Sequence, residues 1–265
     1  MKTNKNNITM KKLIIISCFI LLSPFTAKSQ ISVMDESYFL NRYIGITFGI
    51  GLTYYTGSVS FYADRVDCEP YSFSSKSGFE TNFLFGLRTE WKISRHFDFC
   101  TSLLYEGRSA NFEPLDYTLY VYVSDEKPFE LASFNRRVDA KISILNITPM
   151  IKYRPFNFDF SILVGTSFAF VFSDELDVKE SILEPVELFF QKIGGRERTI
   201  YLGKIESKNS FLFDLKFGLS CGIMLTEEIM LLPEIFYILP LTKINSEGDW
   251  KIFSTQFLVS LLYGF

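Results

Sequence analysis

The chain has 265 residues, a formal net charge of −3, and an unusual aromatic load of 29 Phe and 14 Tyr. No stretch supplies the basic patch that a nucleic-acid binder needs, and the cysteines lack the close spacing of a disulfide framework or a Cys-x-x-Cys metal site. Past the N-terminus no apolar run approaches the roughly 18 residues that a membrane-spanning helix requires, so helical membrane proteins are excluded as well.

Residues 1–29 read as a cleaved secretory signal peptide. Lys11 and Lys12 precede an apolar stretch from Leu13 to Leu22, and small residues (Ala27, Ser29) stand three places and one place before a cut ahead of Gln30, the layout of an exported leader. Ile15-Ile16-Ser17-Cys18 superficially resembles a lipoprotein cleavage box, but the apolar run continues past Cys18. The leader carries five lysines and no acid, so its removal leaves 22 basic residues against 30 acids, a net of −8. Cys68, Cys100 and Cys221 then remain, an odd number better suited to small apolar fillers than to ligands. Residues 30–41 are expected as a short N-terminal periplasmic segment and 42–265 as the folded domain.

From there the chain alternates, which in a strand sends successive side chains to opposite faces. The first segment sets Ile44, Ile46, Phe48, Ile50, Leu52 and Tyr54 against Gly45, Thr47, Gly49, Gly51 and Thr53. In the second, Phe79 to Trp91 at odd positions oppose Glu80, Asn82, Gly86, Arg88, Glu90 and Lys92. The third sets Phe97, Phe99, Thr101, Leu103 and Tyr105 against Asp98, Cys100, Ser102, Glu106 and Arg108; the fourth sets Leu145, Ile147, Pro149, Ile151 and Tyr153 against Asn146, Thr148, Met150, Lys152 and Arg154. The fifth alternates from Phe158 to Phe172 and the sixth from Phe211 to Leu225, the latter opposing Asp214, Lys216, Gly218 and Ser220. In the seventh only Glu234 marks a polar face, and the eighth carries Phe253 to Phe265 at odd positions against Ser254, Gln256, Ser260 and Gly264.

None of the apolar faces holds an Asp, Glu, Lys or Arg, although charged residues make up 22% of the chain. Lipid explains such exclusion, because a Lys or Arg at the midplane of a barrel's outer face costs about 2–4 kcal/mol. The segments also match the 9–11 or so tilted residues of a membrane-spanning strand. Short connections at Ser94–His96, Pro155–Asn157 and Thr226–Glu228 alternate with long ones at 56–77, 109–140, 173–210 and 242–251. The expected fold is therefore all-β: an eight-stranded antiparallel up-and-down transmembrane β-barrel of the bacterial outer membrane, with short periplasmic turns and long extracellular loops. Aromatic girdles are expected at both interfaces, with Trp91, Phe97, Tyr153, Phe158, Tyr263 and Phe265 below and Tyr54, Phe79, Tyr105, Phe172 and Tyr237 above. A soluble ligand-binding barrel would turn the apolar face inward; the leader and the aromatic C-terminus favour the membrane.

Four short stretches carry a family resemblance. Leu145-Asn146-Ile147-Thr148-Pro149-Met150-Ile151-Lys152-Tyr153 is like an L-x-I-P-h-h-h-K-Y strand with Thr148 added before Pro149. With it go Phe217-Gly218, Pro233-Glu234-Ile235-Phe236-Tyr237 and the ending Leu261-Leu262-Tyr263-Gly264-Phe265. The arrangement resembles the outer-membrane β-barrel domain family of Bacteroidota, which includes PorT-like proteins and OmpA-OmpX-like eight-stranded barrels. That resemblance implies lipid and lipopolysaccharide neighbours. It also implies insertion by the barrel-assembly machinery through a C-terminal signal at Tyr263 and Phe265 and, as an alternative role, service as an accessory subunit of an outer-membrane secretion or uptake complex.

Little in the chain points to chemistry. Lipid-modifying barrels use a His beside a Ser and an acid near the outer leaflet, whereas His96 falls in a periplasmic turn, out of hydrogen-bond reach of any such nucleophile. No phosphate loop, metal cluster or nucleophile elbow is present; no catalytic residue, cofactor or metal is expected. The sharper feature is a lumenal polar network of Arg88, Lys152, Asp214, Lys216 and Glu234. Buried charges must be paired, so an ion-pair plug is the plain reading and a gated or proton-conducting path the bolder one. The loops 109–140 and 173–210 are the places for a protein partner; Tyr117 to Val123 alternates and could prolong strands above the membrane, while Ile182, Leu183, Leu188, Phe189 and Phe190 could pack as a cap or dock a partner. The leading expectation is a non-enzymatic surface barrel, structural or partner-binding.

Overall fold

The computed structural model describes residues 42–61, 71–122, 129–155, 160–190, 194–205, 207–246 and 248–265. The expected leader, the segment 30–41, Cys68 and Phe158 lie outside these residues, as does the side chain of Phe79. Ten strands follow one another: β1 (Arg42–Phe61), β2 (Tyr71–Lys92), β3 (Phe97–Val121), β4 (Glu130–Tyr153), β5 (Phe160–Glu184), β6 (Glu197–Gly203), β7 (Phe211–Cys221), β8 (Ile223–Met224), β9 (Ile229–Pro240) and β10 (Lys251–Gly264). Eight of them close a ring in the order β1-β2-β3-β4-β5-β7-β9-β10, with β10 paired both to β9 and back to β1. β8 is the end of β7 after a break at Gly222 and pairs the same neighbour, β9. β6 pairs with β5 alone.

Closure follows from the solvent. Hydrocarbon offers no partner to a backbone N–H or C=O, so strands cross a bilayer only when every edge is paired. Here the last strand meets the first in unbroken register from Tyr43↔Gly264 to Thr56↔Lys251. The expected faces are the observed ones. Ile44, Ile46, Phe48, Ile50 and Leu52 are exposed on the outside, and Thr47, Gly51 and Thr53 are buried inside. The same sorting holds in the membrane-spanning parts of the other ring strands. Girdle rings meet across strands: Phe97 stacks on Tyr153 at 5.0 Å and Trp91 on Phe99 at 5.7 Å below, and Tyr105 meets Phe172 at 5.8 Å above. Thr148 before Pro149 leaves the register intact, since the β4–β5 pairing holds the same offset at Ile147↔Phe168 and Met150↔Gly165.

The long loops are the correction. Most of 109–140, half of 173–210 and parts of 56–77 are strand: β1 runs on to Phe61, and β3, β4 and β5 are each 24 or 25 residues long. Above the girdle, β3, β4, β5 and β6 form a four-stranded sheet that stands clear of the lipid, while β2 parts from β3 after the pair Leu84↔Glu106. Three irregularities mark the exit from the membrane, at Tyr55/Gly57 in the β1–β2 ladder, at Phe112/Leu115 in β3, and where Ser143 and Ile144 face Ser173 and Val171 of β5. Each inserts an extra residue into one strand, and one extra residue swaps the faces of everything beyond it. In β5 the buried positions are odd through Val171 and even from Leu176 onward. Gly57 takes φ +106° at the first irregularity, where a β-carbon would lie 2.1 Å from the carbonyl oxygen of Asp249.

Leu87 pairs with Ile46 on one side and Leu103 on the other, in the middle of the lipid-facing band. Leu87→Arg is expected to lower the unfolding free energy by about 2–4 kcal/mol, measured by urea titration of the barrel in liposomes.

Candidate functional site

The interior of the ring is filled by side chains in five layers. The order of inward residues along each strand sets the sequence of layers. Lowest, at the periplasmic end, Met230, Leu232 and Leu262 pack with Tyr43. Above them lies a charged layer. The Arg88 guanidinium donates to Glu90 Oε1 from Nε at 2.9 Å and Nη2 at 2.7 Å, and to Glu234 Oε2 from Nη1 at 2.8 Å. Lys152 Nζ donates to the other oxygen of Glu90 at 2.9 Å. Thr47 and Ser260 hydroxyls share a 2.7 Å bond beside this group. A third, apolar layer comprises Leu84, Cys100, Leu104, Met150, Leu163, Phe236 and Leu258.

The fourth layer is centred on Glu106, which is fully buried. Its carboxylate accepts five hydrogen bonds: from Asn82 at 2.9 Å, Asn146 at 2.9 Å, Gln256 at 3.2 Å, and Arg108 Nε and Nη2 at 2.9 and 3.1 Å. Arg108 Nη2 also lies 3.8 Å from Asp214 Oδ2. The fifth and largest layer closes the extracellular mouth with Tyr55, Phe112, Val138, Ile142, Ile144, Val171, Leu212, Ile252 and others. The 241–250 connection folds into this mouth and sets Trp250 edge-on to Phe112 at 5.4 Å. Where β2 leaves β3, the seam is held by the Tyr55 phenol, which donates to the Asn111 carbonyl and accepts from the Asn111 N–H at 2.9 Å, taking the place of a neighbouring strand's backbone.

The five residues expected as one network are all buried inside, at 1–5% exposure. The structure divides them. Arg88, Lys152 and Glu234 meet in the lower charged layer, with Glu90 completing it; Asp214 belongs with Glu106 and Arg108 in the upper one. Among the described residues Lys216 makes no ion pair within 4.0 Å; it holds its ammonium 4.2 Å from the centre of the Phe236 ring, a cation–π contact. Gly218 makes room for that ring, since a β-carbon there would fall 2.2 Å from Phe236 Cδ1. Glu90, Glu106 and Arg108 were legible as inward-facing but not as centres of the network. The two charged layers and the apolar layer between them contain Glu90, Glu106, Asp214 and Glu234 against Arg88, Arg108, Lys152 and Lys216, an equal number of each sign in a space that water reaches poorly.

A second constellation lies outside the membrane, in the outer half of the extracellular sheet. Glu180 of β5 is about 26 Å of strand beyond Phe172 at 3.3 Å per residue. It accepts from Arg136 of β4 at 2.5 Å, from Arg198 of β6 at 2.7 Å, and from the Tyr117 hydroxyl of β3. One carboxylate thus ties all four strands together. Burial pushes the Glu180 carboxyl up, but the three donors outweigh it and hold the group below the usual carboxylate range. Tyr117 stacks on Phe134 at 5.4 Å, and Ala132, Phe134 and Ile182 form a small core with Leu188 and Phe190 packed against it, so these residues of the expected loop pack as a cap.

His96 is exposed in the first periplasmic turn, 3.0 Å from the Arg154 carbonyl oxygen, as its position in the sequence suggests. Among the described residues no group of three or more His, Cys, Asp and Glu could hold a metal ion. Phe265 points outward at 59% exposure and donates its N–H to Arg42 O at 3.0 Å, just past the end of β10.

A closed ring of eight strands with a lipid-compatible exterior and a filled interior defines an integral β-barrel of the bacterial outer membrane. Residues 28–246 match the model of the family described as outer membrane protein beta-barrel domain, and the chain belongs to that family. No match is found among curated proteins. Similar solved structures include Ail, the attachment invasion locus protein of Yersinia pestis, at 10% identity over 84% of this chain and 100% of that one, TM-score 0.36. Neisserial surface protein A follows at 12% over 84% and 97%, TM-score 0.33. OprG of Pseudomonas aeruginosa stands at 13% over 85% and 96%, TM-score 0.36. At these identities the likeness is one of barrel architecture.

Glu106→Ala leaves Arg108 buried without its main partner, and is expected to cost about 3–5 kcal/mol in urea unfolding. Removing the exposed partner Arg137 from its 3.0 Å pair with Asp139 should change stability by no more than about 1 kcal/mol in the same assay. Because the folded-state pKa of Glu180 is depressed, its contribution is present above the unfolded carboxylate value and is lost as pH falls below about 4.3. Backbone amide resonances of β6 should therefore broaden on acidification through that range, ahead of those of the barrel, and Glu180→Gln should show the broadened state already at neutral pH.

Proposed function

We propose that this protein is a non-conducting, non-enzymatic barrel whose task is to hold a four-stranded sheet above the outer membrane for a protein partner. The observation that carries this reading is the continuation of β3, β4 and β5 far past the girdle, braced by Glu180, over a lumen packed from end to end. A channel needs a continuous wet path, whereas here apolar layers lie below, between and above the charged ones. The charges then serve as a plug that fixes strand register, each side chain finding its partner in one alignment only. An enzyme of the outer leaflet would need an acid–base group near the extracellular girdle, and His96 is at the opposite end.

The PorT-like resemblance adds a narrower version, in which the partner is a component of an outer-membrane export or uptake complex. The long sheet favours it as much as any other partner. Affinity purification from detergent-solubilised outer membrane tests both readings. The intact chain is expected to retain a defined set of proteins, and a variant in which residues 116–135 are replaced by an Asn-Gly turn is expected to lose them. Recovery of the barrel alone from both would end the partner-binding reading. In planar bilayers the single-channel current should be near zero for the protein and for Glu234→Gln alike; a conductance that changes with Glu234 would replace the plug with a path.

A further inference from the structure

The tip of the extracellular sheet carries an apolar surface with no lipid to cover it. On its outward face Tyr120 pairs opposite Leu131, and the rings of Tyr122 and Phe129 meet edge to face at 6.2 Å. These four side chains are 74%, 51%, 59% and 69% exposed, and Val186 and Phe189, in the turn that follows β5, are 68% and 59% exposed. Tyr120 stands fifteen residues past Tyr105 of the upper girdle, about 50 Å of strand at 3.3 Å per residue, out of reach of the protein's own bilayer. Exposed aromatic clusters of this kind mark interaction sites, and Tyr and Phe are the residues enriched at the centres of protein interfaces.

Charge decides what such a surface would accept. Among the described residues 115–122, 129–130, 184–190 and 194–197, five acids (Asp116, Glu130, Glu184, Glu187, Glu197) stand against one base, Arg196, a net of −4 around the apolar tip. That base is spent on the carbonyls of Ile182 and Leu183 at 2.9 and 2.7 Å. A second copy of this chain would bring the same acidic rim face to face with itself. The surface of another bacterium or an anionic bilayer would be repelled in the same way. A cationic chain with apolar side chains meets both features at once.

We propose that this tip docks a basic polypeptide that presents aromatic or aliphatic side chains, the apolar contacts giving lifetime and the acidic rim giving approach rate and choice of partner. The assignment rests on the partner-binding reading above and gives that partner its chemistry. The test uses the full chain in phosphatidylcholine nanodiscs, with empty nanodiscs as the blank. The probes are three synthetic peptides of one length: alternating Leu-Lys, alternating Ser-Lys and alternating Leu-Glu. The Leu-Lys peptide should bind at least tenfold more tightly than either of the others, and its affinity should fall as salt is raised. Tyr120→Ser with Phe129→Ser should remove at least tenfold of that affinity, as should Asp116→Asn with Glu184→Gln and Glu187→Gln. Glu187→Gln alone, at an exposed turn, serves as the variant least able to disturb folding and should show a smaller loss in the same direction. Equal binding of Leu-Lys and Leu-Glu, or tip variants that bind like the parent, would overturn the proposal. Failure of this assignment is separable from failure of the underlying reading: partners lost with residues 116–135 but acidic in character would refute only the charge assignment, whereas partners retained without those residues would refute the docking role itself.

Discussion

Everything in this molecule depends on the pairing of β10 with β1. Inside a bilayer an unpaired strand edge would leave a row of N–H and C=O groups without partners, each at a cost of several kcal/mol. The antiparallel ladder from Tyr43↔Gly264 to Thr56↔Lys251 removes that edge. Once eight strands close, the diameter is set, and it leaves an interior just wide enough to be filled by side chains. Any charge placed on the inner face must then find an opposite charge or a polarisable ring within a few ångströms. The equal number of carboxylates and cations across these layers, which is reached with Lys216 seated on Phe236 between them, is a consequence of closure at this size.

The layers also divide the molecule into two parts with different duties. Below the extracellular girdle, the hydrogen bonds on Glu106 of β3 join it to side chains of its neighbours, Asn82 of β2 and Asn146 of β4, and reach across the lumen to Gln256 of β10, holding these strands in one arrangement. Above it, the ring opens: β2 remains with β1, β3 continues with β4, and Tyr55 bridges the seam. The sheet that rises from β3 to β6 has a small core of its own around Phe134 and a buried carboxylate, Glu180, that joins its four strands. In the proposed reading, the plugged base and the braced sheet above it together serve as a stand for presenting a surface.

The bulges at the girdle explain where reading by alternation stops. In the lipid zone the outward face excludes charge, so Ile44 to Tyr54 or Leu145 to Tyr153 announce themselves by contrast with their neighbours. Past the girdle the outward face meets water and charges return to it: Arg137, Asp139 and Lys141 on β4, Glu175, Asp177 and Lys179 on β5. Loss of the charge-free face marks the edge of the membrane, and by alternation alone it is indistinguishable from the end of the strands. The inserted residues near Phe112 and Phe172 then swap inner and outer faces, which breaks the count even for a reader who continues. Tyr117 to Val121, which does alternate on its own, was the one piece of the upper sheet still visible.

What the sequence by itself determined is the pattern that a solvent imposes residue by residue: the strands in the membrane, the faces they show to lipid, the turns between them and the set of polar side chains that look inward. Those follow from period and composition, because burial against lipid acts on each position alone. Which inward charges meet was decided only by the tertiary structure, since strand tilt and register set their relative heights, and these placed Glu90 beside Arg88 and Lys152 and gathered five donors on Glu106. The same holds for the projecting sheet, whose strands are stabilised by neighbours far along the chain, Glu180 by Tyr117, Arg136 and Arg198, and by no local period that a single strand could display.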